Sequence, residues 1–307
     1  MIDKIVQLIG LLFFAFAVWL IGKEIEHIGV ASLWHLILST PLWVILLVLM
    51  MMVLDFAVLS GYDKLALDYI HHPLPFLRVL EASAIGFAIS NTSGHAYASG
   101  GSVRYLFYLP QGLTRTEIVK VIVFETLTIF MGLAAVYLFA VALMPFEQTV
   151  NTVSYTRWLY WSAGGIAAFF VAYYVFWIRP HRDITVGQNV IPAPSKQMTL
   201  LQIMVGICDN IALFLAFYVA LRYHLDAPVF ETFMVFILAQ CIGLATQVPG
   251  GIGVFEGTFL YLFPHTPEQK AGILASLVLF RVLCYFVPLA LAGIYLGVRW
   301  VGQRLKS

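Results

Sequence analysis

Apolar residues fill stretches of about 20 positions along most of this chain, separated by short polar connections. Stretches of that length let an α-helix cross a bilayer core about 30 Å thick. The pattern predicts full spans at 5–22, 36–60, 118–144, 157–178, 199–222 and 270–298. Two further segments, 79–109 and 229–264, are as apolar but interrupted. The first carries Ser90-Asn91-Thr92-Ser93-Gly94 and Ser99-Gly100-Gly101-Ser102. The second carries Gln247-Val248-Pro249-Gly250-Gly251-Ile252-Gly253, with Glu256 just beyond. A Pro-Gly-Gly-x-Gly run does not stay helical, and unpaired backbone groups facing lipid cost several kcal/mol each. These breaks must be shielded by protein or line a cavity, and intramembrane breaks with a charge beside them are where transporters build substrate sites.

Composition agrees. Apolar residues make up 61% and charged residues 11% of 307 positions, with a mean hydropathy of +0.91; soluble domains average roughly 25% charged residues. The chain reads as an integral membrane protein. A net charge of +1 gives no electrostatic case for nucleic acid. Cys208, Cys241 and Cys284 lie in apolar segments without metal-ligand spacing and read as small buried hydrophobes. Lys4 followed by the apolar run 5–21 resembles a signal peptide, but no Ala-x-Ala site follows and the run passes directly into Lys23-Glu24-Ile25-Glu26, so a retained first helix is expected. Trp19, Trp43, Trp158, Trp177 and Trp300 fall near span ends, as an aromatic belt requires.

The distribution of Lys and Arg decides whether the interrupted segments cross or double back. If both cross, the basic residues outside the spans divide evenly. If both are re-entrant, Lys4, Lys64, Arg78, Arg104, Arg115, Lys120, Arg179, Arg182, Lys196, Arg299, Arg304 and Lys306 share one side, against Lys23, Arg157, Arg222 and Lys270 on the other. The bias favours two re-entrant segments and cytoplasmic termini. The expected fold is an all-α polytopic membrane helix bundle, about six full spans plus two broken or re-entrant helical segments. It forms one transmembrane domain over 1–307, with an internal pseudo-repeat of about 1–150 and 151–307. Three crossings per half would invert the second copy. Asp55 and Asp209 fall at matching places, and so do Gly100-Gly101 and Gly250-Gly251; such inverted repeats place a site between their broken helices, near the midplane.

Four pieces of sequence, in order, resemble a known family: the lysylphosphatidylglycerol synthetase transmembrane region, the flippase-like half of the MprF proteins, which also has stand-alone integral membrane members. Pro249-Gly250-Gly251-Ile252-Gly253-Val254-Phe255-Glu256 resembles its signature. Gly61-Tyr62-Asp63-Lys64-Leu65-Ala66 resembles its Tyr-Asp-x-Leu-Ala segment. Asn91 with Gly100-Gly101-Ser102-Val103-Arg104-Tyr105 resembles its first broken helix, and Phe280-Arg281-Val282-Leu283-Cys284-Tyr285-Phe286-Val287-Pro288 its last-helix pattern. The pieces span 61 to 288. Ser99 stands where many members carry Pro. Bifunctional members append a soluble aminoacyl-transferase domain, which this sequence, ending at Ser307, does not carry. The resemblance thus implies the lipid-translocating half and no lipid aminoacylation.

Candidate site residues follow from charge inside apolar runs. Arg281, near mid-span, needs a partner: either Glu256 or Asp209 in a helix-locking salt bridge, or a phosphate or carboxylate that its planar fork would hold. Glu256 either charges the N-terminus of a half-helix, or pairs with Arg281, or binds a proton or a cationic head-group. Arg104 is its counterpart in the first half, or an interfacial Arg reaching toward head-groups. Asn91, Ser93, Thr246 and Gln247 either satisfy the freed backbone or, with Gly250 and Gly251, contact substrate. Asp209 and Glu125 are candidates for proton coupling, or for helix–helix hydrogen bonds. His71, His72 and His95 form no metal set, and no metal or cofactor is expected.

The leading expectation is a protein of the bacterial inner membrane that moves a phospholipid with an anionic head-group between leaflets, the phosphate held by Arg104 and Arg281. Its partners would be membrane phospholipids, with a separate partner enzyme also allowed. The alternatives are a membrane-embedded enzyme acting on lipid-linked substrates, an accessory subunit, and a transporter of a small solute.

Overall fold

The computed structural model describes residues 30–92, 96–143, 149–150, 153–154, 156–180, 183–186 and 189–304. The expected first span at 5–22 lies outside them. A short helix α1 (Val30–Leu38) leads into α2 (Leu42–Tyr69). A pair of shorter helices follows, α3 (Phe76–Ser90) and α4 (Ala96–Tyr108), and then α5 (Arg115–Ala142). The second half runs α6 (Thr156–Tyr173), α7 (Lys196–His224), α8 (Val229–Ala245), α9 (Val254–Leu262), α10 (Lys270–Arg281) and α11 (Val287–Arg304). Among the described residues five helical stretches are long and apolar enough to cross a membrane: Leu42–Tyr69, Arg115–Ala142, Arg157–Ile178, Lys196–His224 and Lys270–Arg299. The 36–60 segment begins its long helix at Leu42 because Pro41 sits at the N-cap, and it runs on to Tyr69. Two small antiparallel ribbons, Thr149–Val150 with Val153–Ser154 and Ile184–Val186 with Asn189–Ile191, occupy polar connections. The second lies in the Arg179–Gln197 stretch, which the sequence pattern renders as an extended loop.

Local chemistry sets the helix ends. Thr114 caps α5 in a reciprocal box: its hydroxyl accepts from the Glu117 N–H at 3.3 Å, while Glu117 Oε2 accepts from the Thr114 N–H at 2.7 Å. Ser195 Oγ accepts from the Met198 N–H at 3.1 Å to start α7. Between α10 and α11, Val282–Phe286 form a π-helical turn. Pro288 has no N–H to return to the carbonyl four residues back, and the wider turn accommodates that gap directly after Arg281.

Both interrupted segments double back. The 15 residues of α3 and 13 of α4 reach about 22 and 20 Å, short of a bilayer core. The two lie antiparallel: a Cβ on Gly100 would stand 3.1 Å from Ser90 Cβ, and one on Gly86 would stand 3.2 Å from Arg104 Nη1. In the second half, Gly243 meets Gly251, and the Phe236 and Phe255 rings lie 5.4 Å apart. The tips of the two hairpins touch, since a Cβ on Gly250 would stand 3.2 Å from the Asn91 carbonyl oxygen.

Packing inverts the pattern of a soluble protein. Leu46, Val53, Val119, Phe139, Ile294 and Val298 face outward, while Asp55, Asp63, Arg104, Glu125, Glu256 and Arg281 are buried. Lipid is the outer solvent, and charge survives only where the bundle supplies partners. Phe217 of α7 anchors the second hairpin, with its ring 5.5 Å from Phe236, 4.8 Å from Phe259 and 5.4 Å from Phe280. The first hairpin rests on a separate apolar cluster that includes Leu67, Val79, Ile85, Phe107, Ile118 and Phe124.

Helices α5 and α7 approach backbone to backbone at Gly132 and Gly206, where a Cβ on Gly132 would stand 2.3 Å from Gly206 Cα. The atom in the way is main chain, so no rotamer change relieves it. Gly206→Ala is expected to cost at least the overpacking range of about 1–3 kcal/mol and to lower the melting temperature of the purified protein. Gly164→Ala, where an added Cβ meets nothing within 4 Å, should leave it unchanged. Equal melting curves for the two variants would refute this account of the crossing.

Candidate functional site

A cavity of about 220 Å³ lies where the hairpin tips meet. Of the residues singled out from the sequence, Arg104, Arg281, Asn91, Gln247, Gly250, Gly251, Asp209 and Glu125 all line it. Glu256 stands behind the wall, against Arg281. Ser93 and His95 lie outside the described residues.

On the first-half side, Arg104 reaches inward from α4 and is buried, so it does not extend to an interface. Its Nε donates to Glu125 Oε1 at 2.7 Å and to Asp63 Oδ1 at 2.9 Å, and its Nη2 donates to Asp63 Oδ2 at 2.8 Å. The Tyr108 hydroxyl donates to Asp63 Oδ1 at 2.6 Å. The Phe87 ring lies 4.7 Å from the guanidinium carbon. Two carboxylates thus share one guanidinium, each held by a hydrogen bond as well as by charge.

On the second-half side, Arg281 Nε donates to Glu256 Oε1 at 2.5 Å, so its carboxylate neighbour is Glu256 and not Asp209. Its Nη1 donates to the Gly250 carbonyl at 2.7 Å, and its Nη2 reaches the Gly251 carbonyl at 3.4 Å. The guanidinium carbon lies 5.1 Å from the Phe255 ring centre and 4.5 Å from that of Tyr285. Glu256 Oε2 accepts from the Gly253 N–H at 2.6 Å, closing the first turn of α9. The two roles weighed for Glu256, helix-end charge and partner of Arg281, fall to its two oxygens. Gly250 and Gly251 take φ of 60° and 61°, a conformation that costs other residues and is free to glycine. The turn so made presents carbonyls to Arg281 that no helix could satisfy.

Between the halves, Asp209 of α7 accepts from the Tyr62 hydroxyl of α2 at 2.7 Å, and its carboxyl lies within hydrogen-bonding reach of Asp55. Asp55 Oδ1 is buried and has no hydrogen-bond partner among the described residues. The polar groups beside the second break serve their own backbone: Thr246 Oγ1 donates to the Gly243 carbonyl and Gln247 Nε2 to the Leu244 carbonyl, both at 2.9 Å.

Sequence pattern alone carries Asp63 within the 61–66 segment and assigns Asp55 no partner. The missed signal is positional. Asp55, Leu59, Tyr62, Asp63 and Ala66 recur at helical spacing, so a single face of α2 carries two carboxylates and a phenol into the bundle. Altogether the site holds five carboxylates (Asp55, Asp63, Glu125, Asp209, Glu256) and two guanidinium groups (Arg104, Arg281), and both guanidinium groups are already engaged by carboxylates. Neither stands open to a phosphate, as the anionic head-group expectation requires.

Comparison with known proteins places these features in a family. The chain is 29% identical over 300 residues to the protein slr0712 of Synechocystis sp., a match covering 94% of this chain and 89% of that one. It is 25% identical over 304 residues to the inner membrane protein YbhN of Escherichia coli, covering 96% and 93%. It is 25% identical over 238 residues to the phosphatidylglycerol lysyltransferase of Staphylococcus haemolyticus, where the match takes in 76% of this chain but 27% of that enzyme. The sequence profile of the lysylphosphatidylglycerol synthase transmembrane region matches residues 7–292, and it takes in both hairpins and every charged residue of the cavity; the chain belongs to that family of membrane proteins.

Proposed function

We propose that the protein translocates a phospholipid between the leaflets of the bacterial inner membrane, with its termini in the cytoplasm. The head-group passes through the cavity between the hairpin tips while the acyl chains stay in the surrounding bilayer. The observation that carries this reading is the meeting of two re-entrant tips over a charged cavity in an otherwise apolar bundle. Family membership supports it, because a relative that includes this region is a phosphatidylglycerol lysyltransferase, whose name places it on a lipid. The inner membrane as location is supported by the similarity to the Escherichia coli protein.

The balance of charge refines the substrate. Excess carboxylate in a low-dielectric cavity repels a purely anionic head-group and attracts one that carries a positive charge beside its phosphate. Asp55 and Asp209, side by side, hold such a cation or a proton between them, since either relieves the repulsion of two like charges. Arg281 and Arg104 then meet the phosphate only by exchanging a carboxylate for it. The same reading makes the chain a transporter and not an enzyme. A separate enzyme supplying the lipid would be a partner of this reading.

The test is translocation of fluorescent lipids in proteoliposomes. Wild type is expected to move lipids with cationic or zwitterionic head-groups faster than anionic ones. Asp209→Asn should slow the favoured lipid about tenfold or more, the loss of one hydrogen bond to a charged group being worth about 1.5–3 kcal/mol. Wild-type protein that is folded and moves no lipid would overturn the reading. Equal rates for all head-groups would overturn the charge argument alone.

A further inference from the structure

A second cavity, about 330 Å³, opens between α5, the end of α6 and the start of α7. It shares no lining residue with the central one. One wall is a stripe of α5: Arg115, Thr116, Val119, Lys120, Val123 and Leu127. At 1.5 Å per residue the stripe runs about 18 Å down the helix. It begins with two cations at the helix N-terminus and turns apolar below them. A phospholipid has the same profile, anionic at the level of the helix ends and hydrocarbon beneath.

Two features separate this groove from an ordinary lipid-facing surface. First, neither Arg115 nor Lys120 forms an ion pair among the described residues, whereas Arg104 and Arg281 each do. Second, the groove holds buried polar atoms with no partner. Gln202 is 1% exposed. Its Nε2 donates to Thr128 Oγ1 at 2.9 Å, while its Oε1 has no hydrogen-bond partner among the described residues. Nor has the Trp177 Nε1–H, on a ring held edge-on to Tyr173 at 5.1 Å. Native structures rarely leave such atoms unsatisfied. Gln202 bonds Thr128, eight residues beyond Lys120 on α5, so it lies about 12 Å deeper than the cations, at the apolar end of the groove.

We propose that this groove binds one anionic glycerophospholipid from the adjacent leaflet, at a site separate from the translocation cavity. Arg115 and Lys120 hold the phosphate, and the Trp177 N–H donates to a phosphate or ester oxygen. One acyl chain lies along Val119, Val123 and Leu127. The assignment does not depend on the translocation reading, because it concerns a lipid that stays.

The experiment is native mass spectrometry of the full chain in detergent, titrated with dioleoylphosphatidylglycerol or dioleoylphosphatidylcholine. One phosphatidylglycerol is expected to bind in preference to phosphatidylcholine. The double substitution Arg115→Gln, Lys120→Gln, at solvent-reachable positions that the fold does not need, should weaken phosphatidylglycerol about thirtyfold and erase the preference. Val123→Trp should weaken both lipids by filling the groove, and Gly164→Ala, where an added Cβ meets nothing within 4 Å, should leave binding unchanged. Equal binding of the two lipids, an unaffected double variant, or a cysteine at position 123 that cross-links to one within 5–22 would overturn the proposal, the last by showing the chain's own N-terminal segment in the groove.

Discussion

Alanine at Arg104 is expected to be the most destructive single substitution in this protein. It removes the only guanidinium that Asp63 and Glu125 are hydrogen-bonded to among the described residues and leaves two carboxylates facing each other in a buried place. Breaking a buried pair by deleting one partner costs about 3–5 kcal/mol. Here one deletion orphans two partners that then repel, so the upper end of that range applies. Against the 5–15 kcal/mol that holds typical folds, much of the protein should aggregate during purification, and the remainder should melt roughly 10 °C lower. Arg104→Lys keeps the charge but not the planar fork, and should fall between. Asp63→Asn leaves the Arg104–Glu125 pair intact and should be milder than Arg104→Ala. A wild-type melting curve for Arg104→Ala would mean that the triad is not what holds α2, α4 and α5 together.

Arg281→Ala should have a different signature. Arg281 bonds the Gly250 and Gly251 carbonyls as well as Glu256, so its loss frees the turn that forms the second tip. Glu256 is left as a buried charge held by the Gly253 N–H. The expected cost is about 3–5 kcal/mol, concentrated at 247–253 instead of spread over the bundle. A cysteine at Val248, buried in the native tip, should become reactive to a water-soluble maleimide in the Arg281→Ala background while remaining protected in its presence. Lipid movement should be lost together with protection. Retained protection with lost movement would make Arg281 a substrate ligand without a structural duty. Retained movement would remove it from the site altogether.

Much of this architecture is legible in the sequence, and what is not has physical reasons. The paired breaks were visible because Pro249 and the glycines around it leave no helical option, and the Lys and Arg bias indicated that both segments double back. The cavity's membership followed from asking which charged residues sit inside apolar runs. The partnerships were not legible. Arg104 could pair with any carboxylate within reach, and only the packing of α4 against α2 and α5 selects Asp63 and Glu125. Asp63 falls just past the 36–60 run, because Lys64 and Asp68, which pair with each other, end the apolar pattern before the helix ends. The helix start at Leu42 and the π-helical turn after Arg281 are backbone adjustments around Pro41 and Pro288 that a window of apolar residues does not register.

The contact between Gly132 and Gly206 has a mechanical consequence. It joins the last span of the first half to the second span of the second at one level, and Gln202 ties to Thr128 one turn away. Two rods pinned at a single height can separate only above or below the pin, and opening one end narrows the other. The glycine pair is a pivot point by geometry: tilting one helix about it carries the two ends of that helix in opposite senses.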